Sequence, residues 1–189
     1  MSFGVDIKRR IQEDAAKAVE DYKQQPRVAT DFGEPVIGYA SARNPILTGL
    51  DREAYCDHPK SIFRPAGTIV VYYIPYGEAV RKAQENSVAP SKEWITAHRE
   101  AGLLTALING AIRRALDTVG RITSGTNTPA DWQQDVFRPE WDHRIPAYLA
   151  GLGEIGPNGS FFTEVGPYCK LGSCLTDGDL EAELAGSTN

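Results

Sequence analysis

Apolar residues return at every fourth position near the start of the chain, at Ile7, Ile11, Ala15 and Val19, with acidic and basic residues between them. That spacing places one stripe on one face of a helix, so residues 7 to 22 are predicted to form an amphipathic packing helix. PRVATDFGEPVIGYASARNP follows, its two short apolar pieces broken by Gly33, Pro35, Gly38 and Pro45, which predicts an irregular stretch with one short strand. In AGTIVVYYIPY branched and aromatic residues run on without clean alternation, as in a strand covered on both faces. Pro75 and Gly77 close it, and residues 68 to 74 are predicted to be a central strand.

The helical period returns over residues 92 to 116, with Leu104, Ile108, Ile112 and Leu116 on one face joined by Leu103, Leu107 and Ala111. Gly102 and Gly110 lower the propensity without breaking the pattern, and Gly120 suits a stop. RITSGTNTPADWQQDVFRPEWDH combines turn formers with Trp132, Phe137 and Trp141, which reads as an ordered loop with large apolar anchors. Residues 145 to 152 are predicted as a short helix with Pro146 in its first turn and Gly151 at its end. SFFTE and YCKLGSCLT are strand-like, separated by a turn at Gly166 and Pro167. The acidic tail from about residue 178 reads as one helical turn followed by frayed chain. With no internal repeat, this order predicts an α+β sandwich around a modest sheet.

The 189 residues suffice for one substantial core, so a single domain over residues 1 to 189 is expected. Apolar residues at 41% and charged residues at 24% are the proportions of a chain that folds. A formal charge of -5 gives no general attraction to phosphate backbones or acidic membranes, so nucleic acid is not expected as a partner. The N-terminus carries charge throughout and has no apolar signal core, and no apolar run is long enough to span a bilayer, so no membrane partner and a cytoplasmic location are expected. Cys56, Cys169 and Cys174 make an odd set that fits a reducing compartment better than a disulfide framework. Cys56, with no activating partner in view, reads as a small buried apolar side chain.

Candidate chemistry concentrates in WDHRIPAYLAGLGEIGPNGSFFTEVGPYCKLGSCLTD. Gly151, Gly153 and Gly156 match the bare dinucleotide fingerprint Gly-x-Gly-x-x-Gly, but a helix precedes them where a strand is required, and Pro157 stands where a helix should open. No phosphate-loop lysine follows either. Two readings stay open: plain turns, or a backbone-lined cradle in which absent side chains let a large ligand approach main-chain amides. His143, beside Asp142 and Arg144 with Asp135 and Glu140 upstream, is either an acid/base group or a loop-holding hydrogen-bond partner. Cys169 and Cys174 with three scattered histidines do not compose a zinc site, and three cysteines cannot hold an all-cysteine iron-sulfur cluster, so no protein metal site is expected. Tyr72, Tyr73 and Tyr76 either line a pocket at the strand end or pack in the core. His98 and Arg99 are expected to face solvent, and Arg64 is a modest anion-binding candidate.

The same run resembles the corrinoid-binding region of the epoxyqueuosine reductase and reductive dehalogenase superfamily. In that family a helix ending in Ala-Gly-Leu-Gly passes into a Gly-rich loop, then strands, and closes in Gly-Ser-x-x-Thr-Asp. Here these are residues 150 to 153, 156 to 159 and 172 to 177, and HPKSIFRPAGTIVVYYIPYG is similar to the upstream loop and central strand. The resemblance implies a nitroreductase-like α+β sandwich with a central mixed sheet flanked by helices, binding cobalamin whose cobalt is held by the corrin. It implies cofactor contacts at Tyr148, Gly151, Leu152, Gly153, Ile155, Gly156, Asn158, Gly159, Ser160, Phe161, Leu171, Gly172, Ser173 and Cys174. Asn158, Ser160 and Ser173 would offer hydrogen bonds to amides or phosphate. By spacing, Asp135 takes the place of the family's catalytic aspartate, with His143 beside it.

The departures matter as much. Active members add a domain with two iron-sulfur clusters, whereas this chain ends soon after LTD, so reduction of cobalt calls for a separate electron-donor protein. Glu154 and Pro157 stand where the family carries an apolar residue and a lysine, and QQDVFRP lacks the motif around the catalytic aspartate. Three readings follow: a corrinoid-dependent reductase or cofactor carrier, a ligand-binding or structural module that has lost the cofactor, and a flavin-dependent oxidoreductase. Pairing into a homodimer is an expectation from fold-level analogy alone.

Overall fold

The computed structural model describes residues 3 to 52, 56 to 126 and 141 to 180. In chain order the elements are α1 (Phe3–Lys23), β1 (Val36–Ser41), α2 (Pro45–Arg52), α3 (Pro59–Ile62), β2 (Thr68–Pro75), α4 (Glu78–Glu85), α5 (Lys92–Asp117), β3 (Thr123–Gly125), α6 (Arg144–Leu149), β4 (Glu154–Ile155), β5 (Phe161–Phe162) and β6 (Cys169–Thr176). The main sheet runs β1-β2-β6-β3, and β4 and β5 form a separate two-stranded ribbon. All three pairings in the main sheet are antiparallel, which corrects the expectation of a mixed sheet. The α+β sandwich itself is present.

β2 is the axis of the molecule. Seven of its eight residues are buried, and it is paired on both sides. Val70, Tyr72 and Ile74 point into a core built with α1, α4 and α5, while Ile69 and Val71 point into a second core with Leu47 of α2, Ala147 of α6 and Phe161 of the ribbon. A strand with apolar residues at successive positions can satisfy a core on each face only in this way.

α5 begins at Ser91, whose hydroxyl accepts the Trp94 amide, and its chain turns away at Gly120, where φ is +70°. Leu104, Ile108, Ile112 and Leu116 are wholly buried, as the spacing predicts. Leu103 and Leu107 are exposed instead, because the 3.6-residue period carries them around to the outer face. Tyr72 fixes α5 to the sheet: its hydroxyl hydrogen is shared between Asn109 Oδ1 at 2.9 Å and the Thr105 carbonyl at 3.1 Å. The short helix predicted at 145 to 152 is α6, and Gly151 follows it with φ of +71°. α2, α3, α4 and β3 were not read from the sequence pattern. The Trp132 and Phe137 anchors and most of the acidic tail lie outside the described residues.

Glu100 ties α5 to the chain that leaves α1. It is 7% exposed, and its carboxylate accepts the backbone N–H groups of Ala29 and Thr30, each at 3.0 Å. Burial pushes its pKa up, but the hydrogen bonds from Thr30 and Ala29 and the nearby Arg99 charge outweigh that and hold it below the ordinary value. A depressed carboxylate contributes stability above its unfolded pKa and loses it as pH falls through the folded one. Glu100→Gln, which leaves one of the two amides without an acceptor, is expected to cost about 1–3 kcal/mol in urea unfolding at neutral pH. The gap from wild type should narrow as acid protonates the native carboxylate.

Candidate functional site

β3 pairs only with residues 174 to 176 of β6, so among the described residues the rest of that edge, from Cys169 to Ser173, has no neighbouring strand. A cleft of about 490 Å³ opens beside it. Trp94 and His98 of α5 stand on one side, and Trp141 to Arg144, leading into α6, stand on the other. Gly159, Ser160 and Phe161 of the ribbon, with Pro167, Cys169, Lys170 and Leu171, complete the lining.

Ser173 organises the inner wall. It is wholly buried, and its hydroxyl lies 3.0 Å from Trp141 Nε1, 2.9 Å from His143 Nδ1 and 3.0 Å from Thr126 Oγ1. Thr126 also donates to the Ser173 carbonyl at 2.9 Å. These four contacts need four hydrogens. Trp141, Thr126 and Ser173 supply one each, so the fourth must sit on His143 Nδ1. The consistent pattern runs Trp141 and His143 into the serine oxygen, Ser173 to the threonine oxygen, and Thr126 to the carbonyl. Nε2 of His143 is then a bare acceptor, and it makes no hydrogen bond among the described residues. Burial first, then the Lys170 charge, hold the imidazole pKa down to about 4 against a weaker opposing pull from Asp142. His143 is neutral at physiological pH.

Asp142 and Arg144 form a hydrogen-bonded ion pair. Arg144 Nη2 lies 2.6 Å from Asp142 Oδ2, its Nε bonds both carboxylate oxygens, and Nη1 donates to the Gly159 carbonyl. This clamps the ribbon loop to the start of α6. Burial raises the thiol pKa of Cys169 to about 11 and that of Cys174 to about 12, so neither is a thiolate near neutrality. Among the described residues no group of three or more His, Cys, Asp and Glu side chains is placed to hold a metal ion.

Of the residues named from the sequence, His143, Gly159, Ser160, Phe161 and Leu171 line the cleft. Ser173 lies beneath it. Cys174 is buried in the core with α5, and Gly172 lies under the Tyr72 ring. Tyr72 and Tyr76 are core residues. Tyr148, Gly151, Leu152, Gly153, Ile155, Gly156 and Asn158 lie outside the cleft lining, and Asp135 falls outside the described residues. The glycine requirement is largely internal. A Cβ on Gly153 would run into the Phe162 carbonyl, and one on Gly156 would meet the Phe162 ring at 2.7 Å. Sequence reading missed Trp94, Lys170 and Thr126, which α5, β6 and the residue after β3 bring to the site from distant parts of the chain.

No family model and no curated protein matches this chain. Among solved structures, an epoxyqueuosine reductase from Streptococcus thermophilus is similar over 95% of this chain and 47% of its own, at 16% identity and a TM-score of 0.52. An epoxyqueuosine reductase with an epoxyqueuosine-modified tRNA stem loop covers 89% of this chain and 46% of its own, at 16% identity and a TM-score of 0.43. The chain thus spans about half the length of these structures, and the likeness is one of fold. The expectation that excluded nucleic acid is corrected by the second of them, a reductase that was solved with a tRNA stem loop. Among the described residues no helix is long and apolar enough to cross a membrane.

Two outcomes test the inner wall. Nitrogen NMR of the imidazoles is expected to show His143 protonated at Nδ1 and bare at Nε2 at pH 7; the opposite tautomer would overturn the hydrogen count. Gly172→Ala, whose new methyl would lie 2.5 Å from the Tyr72 ring, is expected to lose about 1–3 kcal/mol by thermal or urea unfolding.

Proposed function

We propose that this chain is a corrinoid-binding domain of the reductase type, served by a separate electron donor or acting as a carrier of the cofactor. The observation that carries the reading is the coincidence of two independent features. The fold likeness covers 95% of the chain, and the run that resembles the corrinoid-binding region supplies most of the cleft lining, from Trp141 through Phe161 to Leu171.

The residues present fit such a group in part. A corrinoid is larger than the cleft, so it would have to extend over the adjoining surface. There Ile155, Phe162 and Val165 are exposed apolar side chains, and Gly151 holds left-handed backbone with open space above it. Glu154 is exposed, so its charge stays solvated and imposes no desolvation cost. When bound, a corrinoid supplies redox-active cobalt held by its own ring. The chain's own part is to bind and orient. With a pKa of about 4, His143 accepts a hydrogen bond at Nε2 from a ligand donor and does not carry a proton at neutral pH. Asp135 is proposed as the acid/base group.

Purification in the presence of cobalamin is expected to give a protein that retains the chromophore with a shifted visible spectrum. A folded, full-length sample that neither retains it nor alters its spectrum would overturn the reading. Chemical reduction in the presence of organohalide or epoxide substrates then separates the two roles: turnover marks a reductase, and retention without turnover marks a carrier. If turnover occurs, Asp135→Asn is expected to lower it about a hundredfold or more with retention unchanged.

A further inference from the structure

Lys170 is a half-buried ammonium that makes no hydrogen bond or ion pair among the described residues. Lysines usually extend so that the charge stays in water, and holding one partly desolvated without a partner is unfavourable. Among the described residues nothing else lining the cleft compensates it. The carboxylate of Asp142 is taken by Arg144 through three side-chain hydrogen bonds. His143 and His98 are both held below the ordinary histidine pKa, first by burial and then by the Lys170 charge. Among the described residues the cleft therefore carries an uncompensated positive charge at Lys170, in a chain of net charge -5. Around that charge the lining is flat and apolar, from Trp94, Trp141, Phe161, Pro167 and Leu171. At about 490 Å³ the space suits a small molecule.

We propose that the cleft binds a small ligand whose oxyanion, a carboxylate or phosphate, pairs with Lys170 and whose flat apolar body lies among Trp94, Phe161 and Leu171. His143 Nε2 accepts a hydrogen bond from a hydroxyl or N–H group of the same ligand. This goes beyond corrinoid binding and does not require it. The oxyanion has two sources, the phosphate of a corrinoid's nucleotide tail or the acid group of a separate substrate.

The probe is benzoate, with benzamide as its neutral isostere, titrated into the full chain without cobalamin. Tryptophan fluorescence and the NMR signals of Lys170, His98 and His143 report binding. Benzoate is expected to bind at least about tenfold more tightly than benzamide and to shift all three signals. Lys170→Gln is expected to erase that preference and Lys170→Arg to keep it, each in a variant with wild-type circular dichroism. With cobalamin added in excess, loss of benzoate binding assigns Lys170 to the tail phosphate, and retention assigns it to a substrate; both uphold the anion site. Absence of a preference in the wild type, or a preference that survives Lys170→Gln unchanged, overturns it. A benzoate preference in a protein that takes up no cobalamin would sink the corrinoid reading and leave this one standing.

Discussion

Everything in the molecule depends on one strand being dry on both faces. β2 has its backbone satisfied by β1 and β6, so its side chains alone decide what can pack, and they demand apolar partners above and below. On one side the answer is α5 with α1 behind it; on the other it is α2, α6 and the ribbon. The Tyr72 hydroxyl, buried in the α5 core, is answered by groups on α5 itself. That fixes the helix along and around its axis. Because Gly172 lies directly under the same ring, β6 is held at a set height against β2, and the position of the cleft follows.

The cleft exists because the sheet is incomplete. β3 accompanies β6 for three residues, and the rest of the β6 edge is bordered by helix termini and a ribbon, which leave a gap that a strand would have filled. An open edge next to a core would normally admit water to buried polar groups. Here the Ser173, Thr126, Trp141 and His143 network closes the inner wall, with every hydrogen assigned and one imidazole nitrogen left over. A fully satisfied network holds its geometry, so the spare acceptor is presented at a fixed place.

How far the sequence reveals this depends on the range over which each feature is determined. α1, α5 and β2 were legible because their signals are local: a four-residue apolar period, or an unbroken apolar run closed by proline and glycine. Leu103 and Leu107 were misassigned because α5 is apolar around more than half its circumference, and composition cannot say which arc faces the sheet. β3 has only three residues and no apolar alternation, and pairing alone makes it a strand. The site suffers most from this limit. His143 and Ser173 are 30 residues apart, Thr126 and Ser173 are 47 apart, and nothing local to any of them announces the others. Lys170 is one lysine among several until the fold places it in the cleft, without a carboxylate partner among the described residues.

The glycine-rich loop shows how the same residues support two readings until their neighbours are known. Gly153 and Gly156 are small because Phe162 lies across them, a requirement of the ribbon and not of a ligand. Pro157 is turn chemistry: the Gly159 amide bonds the Gly156 carbonyl, which puts Pro157 and Asn158 at the two central positions, where a fixed φ of about −65° is favourable first. Gly159 is different. Its φ of +76° is a backbone requirement, and its carbonyl is held by the arginine that Asp142 orients. The loop therefore reaches the cleft at one end, through Gly159, Ser160 and Phe161, and is occupied with its own packing at the other. A ligand in the cleft meets a wall already rigid before it arrives, with the ordering cost of that wall met in folding and not at the moment of binding.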